Sequence, residues 1–191
     1  MWVDTLISLS PWVLCLVFGA SLTATWVLCQ LASRLGWVAL PQADRWHSRP
    51  TAIFGGLGFV GAFLLGIFCA LPLAWFFRLA VPVAVACLFG LVDDIRRLSP
   101  GAKILGQVVS GIALFALGGG IPMESYPILS LPATLTWVLI LANAFNLIDN
   151  MDGLCAGIAT IACFWIAISS GMASLGGGCA VLLSLSCLRF L

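Results

Sequence analysis

Apolar residues in this chain neither alternate nor repeat with a polar face; they run on continuously and are interrupted only by short polar stretches. The runs cover roughly 6–33, 53–71, 74–92, 104–118, 131–148, 153–171 and 173–191. Continuous runs near the ~20 residues needed to cross a bilayer predict membrane helices, whereas a β-barrel would show ~10-residue alternating segments. The second, third and fourth runs are at the short end of that range. The breaks carry punctuation suited to turns: a polar stretch from Gly36 to Pro50, Pro72, the segment IRRLSPGAK after Asp93-Asp94, the glycines 118–120 with Pro122, and NLIDNMDG after the fifth run. The expected fold is all-α, a polytopic transmembrane helical bundle of about seven spans. It forms one transmembrane domain over residues 1–191, with no soluble domain and no internal repeat.

Composition sharpens this picture. Of 191 residues 62% are hydrophobic and 8% charged, against roughly a quarter charged in soluble domains; the mean hydropathy is +1.17. A net charge of +1 leaves no basic footprint for nucleic acid. All eight cysteines lie in apolar runs without a CxxC pair, as small apolar helix residues do. No Lys or Arg precedes the first run, so it does not have the form of a signal peptide. With the N-terminus outside, Arg34, Arg45, Arg49, Arg96, Arg97, Lys103 and Arg189 fall on the cytoplasmic side and Arg78 alone falls outside, as the positive-inside rule favours. The same arrangement puts Asp44, Asp93, Asp94, Asp149 and Asp152 on that face, a bias the rule does not explain.

Three polar segments therefore meet at one membrane face. Asp93-Asp94 at the lip of an apolar helix repel each other and resist desolvation, and such groups are candidates for function. Oxygen-only ligands suit Mg²⁺ or Mn²⁺; the plain alternative is a helix end facing water. Asn143, Asn146 and Asn150 follow i, i+3, i+7 spacing and share a helix face, with Asp149 and Asp152 beside them. Such a face holds a sugar, a base or a metal, or simply glues helices together. His47, between Arg45 and Arg49 in a proline-bounded loop, suits either a phosphate or an ordinary loop. The tryptophans, mostly near span ends, are expected as interfacial anchors.

At these residues the chain resembles the polyprenyl-phosphate N-acetylhexosamine-1-phosphate transferases. ADRWHSRPTAIFGGLGF is similar to the family's first cytoplasmic loop, GLVDDIRRLSPGAKILGQ to its Asp-Asp signature, and NAFNLIDNMDGLCAG to its signature N-A-x-N-x-x-D-G-x-D-G-L. The loop pattern is closer to the N-acetylglucosamine-type members than to the peptidoglycan branch. The resemblance implies a bacterial inner-membrane enzyme that moves an N-acetylhexosamine-1-phosphate from a UDP-sugar to polyprenyl (undecaprenyl) phosphate and releases UMP, in cell-envelope synthesis, and it allows a homodimer. It implies Asp93 and Asp94 at the reaction centre, one of them deprotonating the lipid phosphate or attacking the nucleotide. Asp149 and Asp94 would hold Mg²⁺ or Mn²⁺, Asn146 and Asp152 would contact the nucleotide-sugar, and Lys103 would neutralise the diphosphate. His47 and Arg49 would belong to the substrate-facing loop.

The sequence departs from the pattern in places. Asn150 stands where a glycine is usual, and Ala52-Ile53-Phe54 replaces the residues common before the double glycine. The resemblance also implies further helices with a Gly-Asp motif and a His-rich loop beyond Leu191, which makes a C-terminally truncated member the expectation. A non-catalytic module that binds lipid or nucleotide-sugar is the alternative. A transporter fits poorly, because its site would lie near the bilayer midplane.

Overall fold

The computed structural model describes residues 9–39, 51–52, 55–149 and 153–188. Among them the architecture is an all-α membrane bundle of seven α-helices: α1 (Pro11–Leu35), α2 (Gly55–Ala70), α3 (Leu73–Arg96), α4 (Pro100–Ala116), α5 (Ser130–Ile148), α6 (Leu154–Ser170) and α7 (Leu175–Cys187). A 3-10 turn, Pro127–Leu129, leads into α5. Large side chains such as Trp12, Trp26, Phe68, Leu88, Trp137, Phe164 and Trp165 are exposed along the helices. In water so much apolar surface would aggregate; in a bilayer it faces lipid. Trp26 and Trp137 stand well inside their helices, so interfacial anchoring does not account for them.

Among the described residues three helical segments are long and apolar enough to cross a membrane: Pro11–Leu35, Leu73–Arg96 and Pro127–Ile148. The other four, of 13 to 17 residues, reach only about 20–26 Å at ~1.5 Å per residue, short of a ~30 Å hydrocarbon core. Boundaries moved on both sides of the second polar segment. The third run was expected to stop near residue 92, but α3 continues through Asp93 and Asp94 to Arg96. The fourth was expected to begin near 104, but α4 starts at Pro100. Ser99 caps it, its hydroxyl accepting the Ala102 N–H, and Pro100 occupies the first helical position where no N–H is needed.

The chain resolves into two compact units, residues 1–72 with 148–191, and residues 73–147. In the first, α1 packs on α2 and α7, and α6 packs on α7. Small residues bring these helices together, as membrane interfaces favour. A Cβ on Gly58 would lie 2.7 Å from the Thr25 backbone nitrogen, and one on Gly66 would lie 2.6 Å from Val17 Cγ2. The buried Ser21 hydroxyl donates to the Ser186 carbonyl at 2.7 Å, tying α1 to α7. Val38–Ala39 pairs antiparallel with Thr51–Ala52, so the polar stretch expected as plain loop begins and ends at a two-residue ladder.

In the second unit α3 lies against α4. Gly106 makes the approach close: a Cβ there would fall 2.5 Å from Phe89 Cγ. Between α4 and α5 the chain is pinned by Thr134, whose hydroxyl donates to the Ser130 carbonyl at 2.7 Å and accepts the Ile121 N–H at 2.9 Å.

Candidate functional site

The second unit brings several polar side chains to one place, and the local sequence explains how. The last turn of α3 carries Asp93 and Asp94. Carboxylates there oppose the negative end of the helix dipole, at a cost of about 0.3–1 kcal/mol each. The chain offsets this locally. The Arg97 N–H donates to the Asp93 carbonyl at 2.8 Å. The Leu98 N–H donates to Asp93 Oδ1 at 2.9 Å. Arg97 itself takes a left-handed conformation, φ 47°, with no glycine to ease it. The turn then enters α4, and Lys103 Nζ reaches Asp93 Oδ2 at 2.8 Å.

One helical turn beyond Lys103, Gln107 meets α5. Asn143 Nδ2 donates to Gln107 Oε1 at 3.0 Å and to the Leu139 carbonyl at 2.8 Å. Asn146 follows on the same face of α5. These groups line an open cavity of about 260 Å³, walled by Phe89, Gly90 and Val138, with Ser110 also on its lining. The Ser110 hydroxyl is satisfied by the Gly106 carbonyl at 2.8 Å. Charge therefore stands on the turn side of the cavity, and amides about one helical turn along α4.

The second and third polar segments thus contribute to one site: Asp93, Lys103, Gln107, Asn143 and Asn146. Asp94 is exposed and does not line the cavity, since consecutive helix residues point about 100° apart. Asp149, also exposed, falls in the first unit. His47, Arg49, Asn150 and Asp152 lie outside the described residues. Among the described residues no three His, Cys, Asp or Glu side chains converge as a cation site. Sequence reasoning missed the Leu98 N–H and placed Lys103 in a loop; Ser99-Pro100, a capping serine before a first-position proline, was the available signal.

A family model described as glycosyl transferase family 4 matches residues 75–191. The chain belongs to glycosyl transferase family 4. The matched range takes in every residue of the cavity. The chain is 28% identical over 181 residues to a probable undecaprenyl-phosphate N-acetylglucosaminyl 1-phosphate transferase of Bacillus subtilis, covering 86% of this chain and 48% of that one. It is 32% identical over 168 residues to a decaprenyl-phosphate N-acetylglucosaminephosphotransferase of Mycobacterium tuberculosis, covering 77% and 42%. It is 30% identical over 151 residues to a phospho-N-acetylmuramoyl-pentapeptide-transferase of Enterococcus hirae, covering 63% and 46%. The chain spans about half the length of the curated relatives it matches.

Proposed function

We propose that this family 4 protein transfers an N-acetylhexosamine-1-phosphate, N-acetylglucosamine-1-phosphate in the first instance, from a UDP-sugar to a polyprenyl phosphate at the cytoplasmic face of the bacterial inner membrane, with release of UMP. The observation that carries the reading is the cavity in which Asp93, Lys103, Gln107, Asn143 and Asn146 meet. It pairs a cation with carboxylate beside uncharged hydrogen-bonding groups. A nucleotide-sugar needs both, charge for its diphosphate and amides for its sugar or base. The relatives named for N-acetylglucosamine match more of the chain than the pentapeptide transferase does, which supports the choice of sugar.

Phosphoryl transfer asks the protein chiefly for positioning and charge stabilisation. Lys103 would bind the diphosphate. Asn143 and Asn146 would orient the donor. One of Asp93 and Asp94 would take the acceptor phosphate's proton. His47, Arg49 and Asp152 are further substrate contacts proposed on the sequence resemblance alone. Carboxylate oxygens suit a hard divalent cation, so Asp94 is the ligand proposed in this unit for Mg²⁺ or Mn²⁺; Asp149, the other ligand that the sequence resemblance implies, falls in the first unit. When bound, that ion would screen the diphosphate charge. An acceptor with a prenyl tail also accounts for a polar site on a membrane-embedded unit, because the tail stays in hydrocarbon while its phosphate meets the donor.

The test is UMP release from UDP-N-acetylglucosamine by membranes containing the full-length protein and undecaprenyl phosphate. Activity that falls at least ~100-fold in Asp94→Asn, with membrane insertion unchanged, is the expected result for loss of a charge acting on the transition state. Undiminished turnover in that variant would remove Asp94 from the mechanism. Binding of the UDP-sugar without any UMP release would favour the non-catalytic alternative.

A further inference from the structure

Asp93 is held by two bonds of unlike permanence. Its Oδ1 accepts the Leu98 N–H at 2.9 Å, a backbone donor fixed in the α3–α4 turn. Its Oδ2 meets Lys103 Nζ at 2.8 Å, a donor at the end of a flexible four-carbon stem. The Lys103 side chain is 41% exposed and that of Asp93 25%. Water reaches both partners, so the ion pair is weak and readily exchanged. An ammonium is a mobile point charge that follows the stronger anion. A diphosphate offers it more charge and more acceptor oxygens than one carboxylate does. The Leu98 bond does not depend on Lys103. When the ammonium leaves, Asp93 stays in register through Oδ1 and only Oδ2 is uncovered.

We propose that Lys103 is a releasable latch on Asp93: an anionic diphosphate entering the cavity draws the ammonium off Oδ2 and exposes a carboxylate oxygen that the Leu98 N–H keeps in place. Only hydrogen bonds and ion pairs exchange; no covalent bond forms or breaks. The inference rests on the nucleoside-diphosphate donor proposed above and adds an order to it. With no donor, Oδ2 is covered and cannot take a proton from the acceptor phosphate. With the donor bound, the same cation that neutralises the diphosphate has left the carboxylate free. The neutral amides of Gln107 and Asn143 do not compete with either anion for Lys103.

The latch is read by carbodiimide labelling of carboxylates in the full-length protein in detergent, with an amine tag located by tandem mass spectrometry that separates residue 93 from residue 94. Inorganic pyrophosphate is the probe anion. Pyrophosphate should raise the Asp93 labelling rate of the wild type several-fold. Lys103→Met should label at the raised rate without pyrophosphate and show no further response to it. Lys103→Gln serves as the second variant if Lys103→Met does not fold. Equal Asp93 labelling in wild type and variant, or a wild-type rate that pyrophosphate leaves unchanged or lowers, overturns the latch. The UMP-release assay on the same wild-type preparation separates the two readings. A protein that exposes Asp93 to pyrophosphate yet never releases UMP keeps the latch and loses the proposed reaction.

Discussion

Gly106 sets the distance between α3 and α4, and replacing it with alanine tests whether that distance shapes the site. The added Cβ would lie 2.5 Å from Phe89 Cγ, 2.6 Å from Cδ1 and 2.9 Å from Cβ. Carbon atoms settle at about 3.5–4.0 Å, so the overlap is roughly 1 Å. The struck atoms are the root of the ring, not its tip. Phe89 cannot relieve the clash by a small swing; it must change rotamer or push α3 away. Overpacking of this kind costs about 1–3 kcal/mol. Alanine returns up to ~1 kcal/mol of helix propensity over glycine, so the net loss is on the order of 1 kcal/mol. For a chain of this size each kcal/mol moves the melting temperature by about 2–4 °C.

The assay is thermal unfolding in detergent followed by circular dichroism at the helix band, together with UMP release. Gly106→Ala should melt a few degrees lower. It should also turn over more slowly, because Phe89 lines the cavity and α3 carries Asp93 against Lys103 of α4. Phe89→Ala alone also costs stability, through lost packing. In the Gly106→Ala background it should cost much less, because it removes the clash. Such coupling between touching residues runs to about 0.5–3 kcal/mol. An unchanged melting temperature for Gly106→Ala, or two costs that simply add, would refute the claim that this glycine fixes the helix spacing.

Other substitutions have equally definite outcomes. Gly58→Ala would bring its Cβ to 2.7 Å from the Thr25 nitrogen and 2.8 Å from Thr25 Cα; backbone cannot rotate away, so its melting temperature should fall further than that of Gly106→Ala. Thr134→Val keeps the shape but removes the hydroxyl that accepts the Ile121 N–H, at a cost of about 1–3 kcal/mol for an orphaned donor. Thr134→Ser should restore most of that loss in the same melt, and no difference between the valine and serine variants would remove the role given to this hydrogen bond.

The membrane bundle was legible because continuous apolar runs have one main physical solution in lipid, helices with internally satisfied backbones. Each expected run corresponds to one of the seven helices. The ends were less legible. Asp93-Asp94 marks the stop of the third run in the sequence because charge ends hydrophobicity, yet hydrophobicity is not what ends a helix. Backbone bonding carries α3 one more turn to Arg96, and the turn closes only where Arg97 adopts positive φ. A non-glycine left-handed residue leaves no sequence mark. In the site, the Asn143 and Asn146 spacing correctly gave a shared face. The partner of Asn143 could not be read from spacing, because Gln107 lies 36 residues away on a helix whose rotation is set by the Phe89–Gly106 contact.

The strongest reason to seek chemistry in the second unit is an unfavourable placement. Two adjacent acids in the last turn of an apolar helix oppose each other and the helix dipole at once. A sequence under stability alone would put only Lys or Arg there, as α1 does with Arg34, whereas α3 keeps both acids beside Arg96. The structure keeps the acids, and around Asp93 it adds a backbone donor from a left-handed residue's neighbour and a lysine from the next helix. The backbone donor is also what a caged carboxylate needs in order to survive loss of its cation. Compensation that is half permanent and half exchangeable is hard to explain as structural repair, since a second fixed donor would stabilise the turn better than a solvent-exposed lysine. It is the arrangement expected where the cation has a second anion to serve.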